Sequence, residues 1–252
     1  QKSSFDACLP RSGFVQQALE AESVIPYFQP ILDLNSGKVT AHEVLMRIPA
    51  PDGTMIAASE FIEAAGRIGL LHKLDHLLMD KAFKQAAEQN YSGDLFVNIT
   101  PKSFIFPQFF PKVQELSKKY GINPTRVVFE VTERDTVRNV AMLQKFVVRM
   151  KEEGYRFAVD DFGSGYSSFK YLKLFPIDYL KIEGEFIRNI LTDSDYLAYT
   201  KSIITLAKEL KLKTVAEFVE DEEITTACRK MGVDFGQGYH IGRPQNKLLL
   251  PS

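Results

Sequence analysis

The stretch RVVFEVTERDTVRNVAMLQKFVVRMKEEGYRFAVDD, residues 126–161, decides the fold. A run rich in β-branched and aromatic residues at 126–131 leads into a helical pattern at 135–153. A second apolar run follows at 155–160. Strand, crossover helix and strand specify a parallel βαβ unit. Downstream the alternation continues with strand 178–182, helix 195–210, strand 213–217, helix 221–231 and a last strand segment within 233–239. A glycine loop and a short helix at 167–173 fill the gap after residue 160. Upstream lie a strand at 94–99 and a helix at 101–120 punctuated by proline. Before them is a helical stretch at 59–90, opened by Ser59 and Glu60 and broken in two at Gly66 and Gly69.

The series starts differently. Strands at 25–34 and 38–47 are joined only by Asn35-Ser36-Gly37, and so short a turn joins antiparallel neighbours. Eight strand candidates, six of them separated by helices, describe an α/β protein: a modified TIM (β/α)8 barrel whose first strand runs antiparallel to the second. An open doubly wound sheet is the structural alternative. Its dinucleotide fingerprint G-x-G-x-x-G is missing, because Gly163-Ser164-Gly165 continues as Tyr166-Ser167-Ser168.

Composition fits one large core. The 252 residues are 45% apolar and 25% charged, which excludes a disordered chain or a disulfide scaffold. With 31 Lys and Arg against 32 Asp and Glu, no global field draws the chain to a DNA or RNA polymer. No apolar run approaches a membrane span and no secretory signal opens the chain. Cys8 and Cys228 lack metal or redox spacing, as suits a reducing cytoplasm. Residues 14–252 read as a single domain and 1–13 as a lead-in; the missing initiator Met points to a piece of something longer.

The apolar runs end in functional polar groups: Asn98, Glu130, Asp160 with Asp161, Lys181, Glu217 and Gln237, while Glu43 sits inside the second strand. Residues two apart on a strand share a face. Ala41 with Glu43, Phe96 with Asn98, Val128 with Glu130, Ala158 with Asp160, Tyr179 with Lys181, Val215 with Glu217 and Phe235 with Gln237 therefore form an apolar layer beneath a polar mouth. His42 points the other way. Any one strand can simply end at a polar residue, but seven converging on one mouth call for a partner. Glu43, Glu130, Asp160, Asp161 and Glu217 are five carboxylates that a lone Lys181 cannot neutralise. Oxygen donors with an Asn carbonyl select hard cations such as Mg²⁺ or Mn²⁺, and two ions about 3.5–4 Å apart would hydrolyse a phosphate ester. Lys181 would hold the water or the developing charge and Glu217 would take the proton. His72 and His76 are spaced i, i+4 but lack the Glu of H-E-x-x-H, and read as packing residues.

These residues in this order resemble the EAL-domain family of cyclic di-GMP phosphodiesterases, from about Phe14 to Pro244. Tyr27-Phe28-Gln29-Pro30-Ile31 resembles the opening strand, and Glu43-Val44-Leu45-Met46-Arg47 stands at the name-giving motif with Val for Ala. Val97-Asn98-Ile99-Thr100-Pro101, Glu130-Val131-Thr132-Glu133 and the run from Asp160 to Ser168 resemble V-N-x-S-P, E-x-T-E and D-D-F-G-T-G-Y-S-S. Leu180-Lys181-Ile182-Glu183, Ala216-Glu217-Phe218-Val219-Glu220 and Gln237-Gly238-Tyr239 resemble L-K-I-D, A-E-G-V-E and Q-G-Y. The resemblance implies Mg²⁺- or Mn²⁺-dependent hydrolysis of cyclic di-GMP to linear pGpG. It implies Glu43, Asn98, Glu130, Asp160 and Asp161 as metal ligands and Lys181 and Glu217 as the groups handling water. Gln237 completes the site, Gln29, Leu45 and Arg47 contact the dinucleotide, and Glu133 supports the loop that links the site to a homodimer. Sensory or cyclase modules on the N-terminal side are a further expectation. Phe218 stands for a family Gly and reshapes the rim. Glu183 stands for a family Asp, is expected on the inward face with Lys181, and is longer by about 1.5 Å, enough to affect rate. Two other readings are a receptor that binds cyclic di-GMP without cleaving it and an unrelated barrel acting on another phosphate ester.

Overall fold

The computed structural model describes residues 11–138, 140–164, 172 and 174–250. The expected helix at 167–173 lies outside the described residues, apart from residue 172. Nine strands are described: β1 (Ile25–Asp33), β2 (Lys38–Pro49), β3 (Met55–Ala57), β4 (Asp94–Asn98), β5 (Val127–Thr132), β6 (Arg156–Phe162), β7 (Tyr179–Ile182), β8 (Lys213–Ala216) and β9 (Phe235–Gly236). The order β1-β9-β8-β7-β6-β5-β4-β2, with β1 also paired to β2, closes eight of them into a barrel. β1 is antiparallel to both neighbours and the remaining barrel pairs are parallel. β3 lies outside the ring, as an antiparallel addition to the end of β2.

Among the described residues ten helices lie between and around these strands: α1 (Arg11–Glu20), α2 (Ile62–Arg67), α3 (Leu71–Glu88), α4 (Pro101–Phe104), α5 (Phe109–Tyr120), α6 (Glu133–Arg138), α7 (Val140–Glu152), α8 (Gly184–Asn189), α9 (Ser194–Glu209) and α10 (Glu222–Met231). The 59–90 stretch divides as its glycines require. Gly69 takes a left-handed φ of 69° between α2 and α3, and Ser59 and Glu60 form a 3₁₀ turn ahead of α2. α5 and α10 end on the left-handed glycines Gly121 and Gly232. Asp193 and Asp221 cap α9 and α10 through bonds from Asp195 N and Ile224 N.

Side-chain alternation sorts the barrel into two apolar sets. Inside, Ile31, Ala41, Phe96, Val128, Ala158, Tyr179 and Val215 form one buried layer with Phe235 against it. Phe96 and Tyr179 meet edge-on at 5.0 Å. The alternate positions, such as Val44, Val97, Phe129, Val159, Leu180 and Ala216, face the helices and join the larger outer core. Polar groups close the end of the barrel opposite the mouth. Arg156 donates to the Tyr179 hydroxyl at 2.7 Å and pairs with Asp94 at 2.5 Å. The inner layer thus forms a hydrophobic floor, and residues two positions further along each parallel strand stand above it.

Candidate active site at the barrel mouth

Lys181, at the centre of the mouth, is carried by β7 two residues beyond the floor residue Tyr179 and is wholly buried. Its Nζ lies 2.9 Å from Glu130, 3.0 Å from Asp160, 3.0 Å from Glu217 and 3.5 Å from Glu43. Four carboxylates from β2, β5, β6 and the end of β8 thus converge on one ammonium. Burial alone would push the Lys181 pKa down, but Asp160, Glu130, Glu217 and Glu43 drive it well above its ordinary value.

The carboxylates respond unequally. Burial would raise Glu43, but Lys181 and hydrogen bonds from Gln237 (2.5 Å) and Asn98 (2.6 Å) hold it below the usual carboxylate range. Glu130 is raised well above that range by burial and by the Glu43 charge. Glu217 is pushed up to about 8 by burial and Asp160, with Lys181 opposing. Asp161 is raised by burial and by its neighbour Asp160. The cluster carries more negative charge than Lys181 offsets, and it favours added positive charge, whether protons or a cation.

Asp160 and Asp161 should face opposite sides of a regular strand. Instead the β6–β7 register shifts between Val159 and Phe162, and Asp161 takes a left-handed φ of 54°. This irregularity turns the second carboxylate back to the mouth. Ligand oxygens of Asp160, Asp161 and Glu217 all lie within 4.8 Å of one another. Glu130 Oε2 is buried and finds no hydrogen-bond partner among the described residues. Hard oxygen donors, an orphaned buried acceptor and excess negative charge fit a divalent cation.

Beside this cluster a cleft of about 240 Å³ is lined by Gln29, Glu43, Leu45, Arg47, Glu217 and Gln237, with Phe218 and Tyr239 on its rim. Gln29 donates to Gly242 O and accepts from Gln237, each at 3.3 Å. The Arg47 guanidinium lies over the Tyr27 ring at 5.6 Å. Glu133, buried at the start of α6, accepts from Gly163 N at 3.0 Å. Gly163 sits at φ 111°, and a Cβ there would meet the Phe186 ring at 2.7 Å, so no other residue fits without rearrangement.

Glu183 lies one residue past β7, directly before α8, with an extended backbone (φ −50°, ψ 138°) whose N–H donates to Phe162 O at 3.2 Å. Its carboxyl is raised by partial burial and by Asp161, Glu185 and Glu133. Phe218 lies on the cleft rim with an unusual backbone. It holds a left-handed φ of 52°, and its half-exposed ring lies on α8 against Gly184, with the Arg188 guanidinium 3.9 Å away. Tyr239, on the same rim, carried no assignment from sequence although it closes the Gln237-Gly238-Tyr239 motif.

A family model described as EAL domain matches residues 14–244. The chain is 34% identical over 235 residues to cyclic di-GMP phosphodiesterase PdeB of Shewanella oneidensis, covering 92% of this chain and 28% of that protein. It is 36% identical over 234 residues to cyclic di-GMP phosphodiesterase PdeF of Escherichia coli, covering 92% and 31%. The chain therefore spans less than a third of the length of either relative. Among solved structures, PaMucR phosphodiesterase in complex with c-di-GMP superposes with a TM-score of 0.88 at 29% identity, covering 94% of this chain and 98% of that one.

Proposed function

Because the chain belongs to the EAL domain family, we propose that it hydrolyses cyclic di-GMP to linear pGpG at the barrel mouth with bound Mg²⁺ or Mn²⁺. One observation carries this reading: Lys181 and its ring of carboxylates border the cleft of Gln29, Leu45 and Arg47. Glu43, Asn98, Glu130, Asp160 and Asp161 would hold the metal, two ions in all. When bound, such ions acidify a coordinated water and stabilise charge on phosphate oxygens. Glu217 takes the proton from the attacking water, and Lys181, 3.0 Å away, holds that carboxylate in place. Asn98 and Gln237 donate to Glu43 and fix its two oxygens. Gln29, Leu45, Arg47 and Gln237 seat the dinucleotide, and Glu133 steadies the start of the glycine loop at Gly163.

The same reading covers the chain's setting. Residues 14–252 work as one barrel domain after a lead-in at 1–13, as a homodimer, in the cytoplasm, under N-terminal sensory or cyclase modules, with no nucleic-acid polymer as partner. No helix among the described residues is long and apolar enough to cross a membrane. Light scattering on the purified chain checks the dimer. A second reading, a receptor that binds without cleaving, is favoured by the bulky Phe218 on the cleft rim, where its backbone is left-handed. Glu217→Gln separates the two. Hydrolysis should fall at least about 10²-fold with binding retained, as for loss of a general base; turnover near that of the parent would refute the role given to Glu217.

A further inference from the structure

β1 is the weakly held wall of this barrel. Its ladder to β9 consists of two pairs, Leu32 with Gly236 and Asp33 with Phe235, both at the end remote from the mouth. At the mouth, Gln29 pairs across the hairpin with Glu43, yet among the described residues no strand flanks β1 on its other side there. Residues 242–249 fill that gap. Gly242 accepts from the Gln29 side chain and lies so close to Pro30 that a Cβ there would meet its ring at 2.5 Å. Gln245 then exchanges both backbone bonds with Phe28, at 2.6 and 3.0 Å. Asn246 O accepts from Gln85 of α3 at 2.8 Å, and Leu248 is buried.

The far end is tied to His42. Leu249 N donates to His42 Nε2 at 3.2 Å, so the ring proton sits on Nδ1, which faces the Tyr91 hydroxyl at 2.8 Å. Tyr91 in turn donates to Asp94 O. His42 is fully buried and meets Phe28 edge-on. The segment therefore grips Phe28 and His42, the outward-facing residues next to the inward-facing pair Gln29 and Glu43. On the reading of Glu43 as a metal ligand given above, we propose that residues 242–249 are a strap that closes the barrel wall at the mouth. His42 is a positioning residue that anchors the strap and thereby sets Glu43 and Gln29.

Leu249→Pro tests this with little disturbance, since it removes the one N–H from a residue that is 42% exposed. His42→Phe keeps the ring and removes both bonds. In the 252-residue chain, amide exchange at Gln245 should quicken about tenfold or more in both variants, the signature of a local opening. Calorimetric titration should show Mn²⁺ affinity lowered about tenfold, the scale of one lost buried hydrogen bond. The metal-free melting temperature should stay within a few degrees, and the double variant should be no weaker than either single one. Parental exchange at Gln245, or parental Mn²⁺ affinity despite faster exchange, would overturn the assignment. So would a metal-free melting loss that accounts for the whole effect. A parent that takes up no Mn²⁺ refutes the proposed function instead, and Gln245 exchange then decides the strap on its own.

Discussion

Residue 218 inverts the usual order of substitutions. Phe218 sits at φ 52°, where an L-residue other than Gly costs about 1–2 kcal/mol. The residue is 47% exposed, so its half-burial contributes about 1–1.5 kcal/mol. The Arg188 guanidinium 3.9 Å from the ring centroid adds about 0.5–1 kcal/mol at an exposed site. Phe218→Ala loses both contributions and keeps the strain, for a net loss of about 2 kcal/mol. Phe218→Gly loses the same contacts and relieves the strain, less the entropy of a freer unfolded chain, and so falls only about 1 kcal/mol below the parent. Gly should therefore be more stable than Ala here by about 1 kcal/mol, or roughly 2–4 °C in melting temperature for a chain of this size. Metal-free thermal and urea melts followed by circular dichroism measure the difference. An Ala variant at least as stable as the Gly variant would refute a left-handed residue 218.

Three further outcomes follow from the buried charges. Lys181→Met leaves Glu43, Glu130, Asp160 and Glu217 without their ammonium and should cost about 3–5 kcal/mol in EDTA, much of it restored by Mn²⁺; a metal-free melt equal to the parent's would contradict the charge balance described. Asp75, buried beneath a Ser103 hydroxyl donor, is raised by burial to about 7 from an ordinary 3.8. Because its folded pKa is the higher one, the folded chain holds a proton that the unfolded chain releases, and stability falls as pH rises from about 4 to about 7. Asp75→Asn keeps the bond and removes that slope, a difference of up to about 4 kcal/mol above pH 7; parallel pH profiles for parent and variant would show that Asp75 is not held neutral. Glu43→Ala should abolish hydrolysis, as read by product chromatography, and retained turnover would remove Glu43 from the metal site.

The strand residues were legible because alternation is a strict rule. Val128 with Glu130 and Tyr179 with Lys181 needed only a period of two to place floor and mouth. Where the backbone departs from the rule, the signal fails. Asp161 is expected at the mouth beside Asp160, but the irregularity that brings it there is one that two adjacent Asp do not announce. The left-handed φ of Phe218 is equally silent, since an aromatic is the last residue chosen for that region. Short elements escaped too: β3 has three residues and α8 six, too few for periodicity to register. α1 went unread as a helix: residues 11–13 fell in the lead-in, and the buried Phe14, Val15 and Ala18 opened the domain without a helix being assigned to them. The strap was unreadable because backbone bonds, rather than side-chain pattern, hold it to β1.

Hydrolysis by the isolated chain tests the central claim most directly. Purified protein is incubated with cyclic di-GMP in Mg²⁺, in Mn²⁺ or in EDTA, and the products are separated by chromatography. Linear pGpG should accumulate with either metal and not in EDTA. Equal turnover in EDTA would contradict the metal role assigned to the carboxylate ring, and intact substrate in every condition, with binding still measurable, would contradict catalysis and leave a receptor.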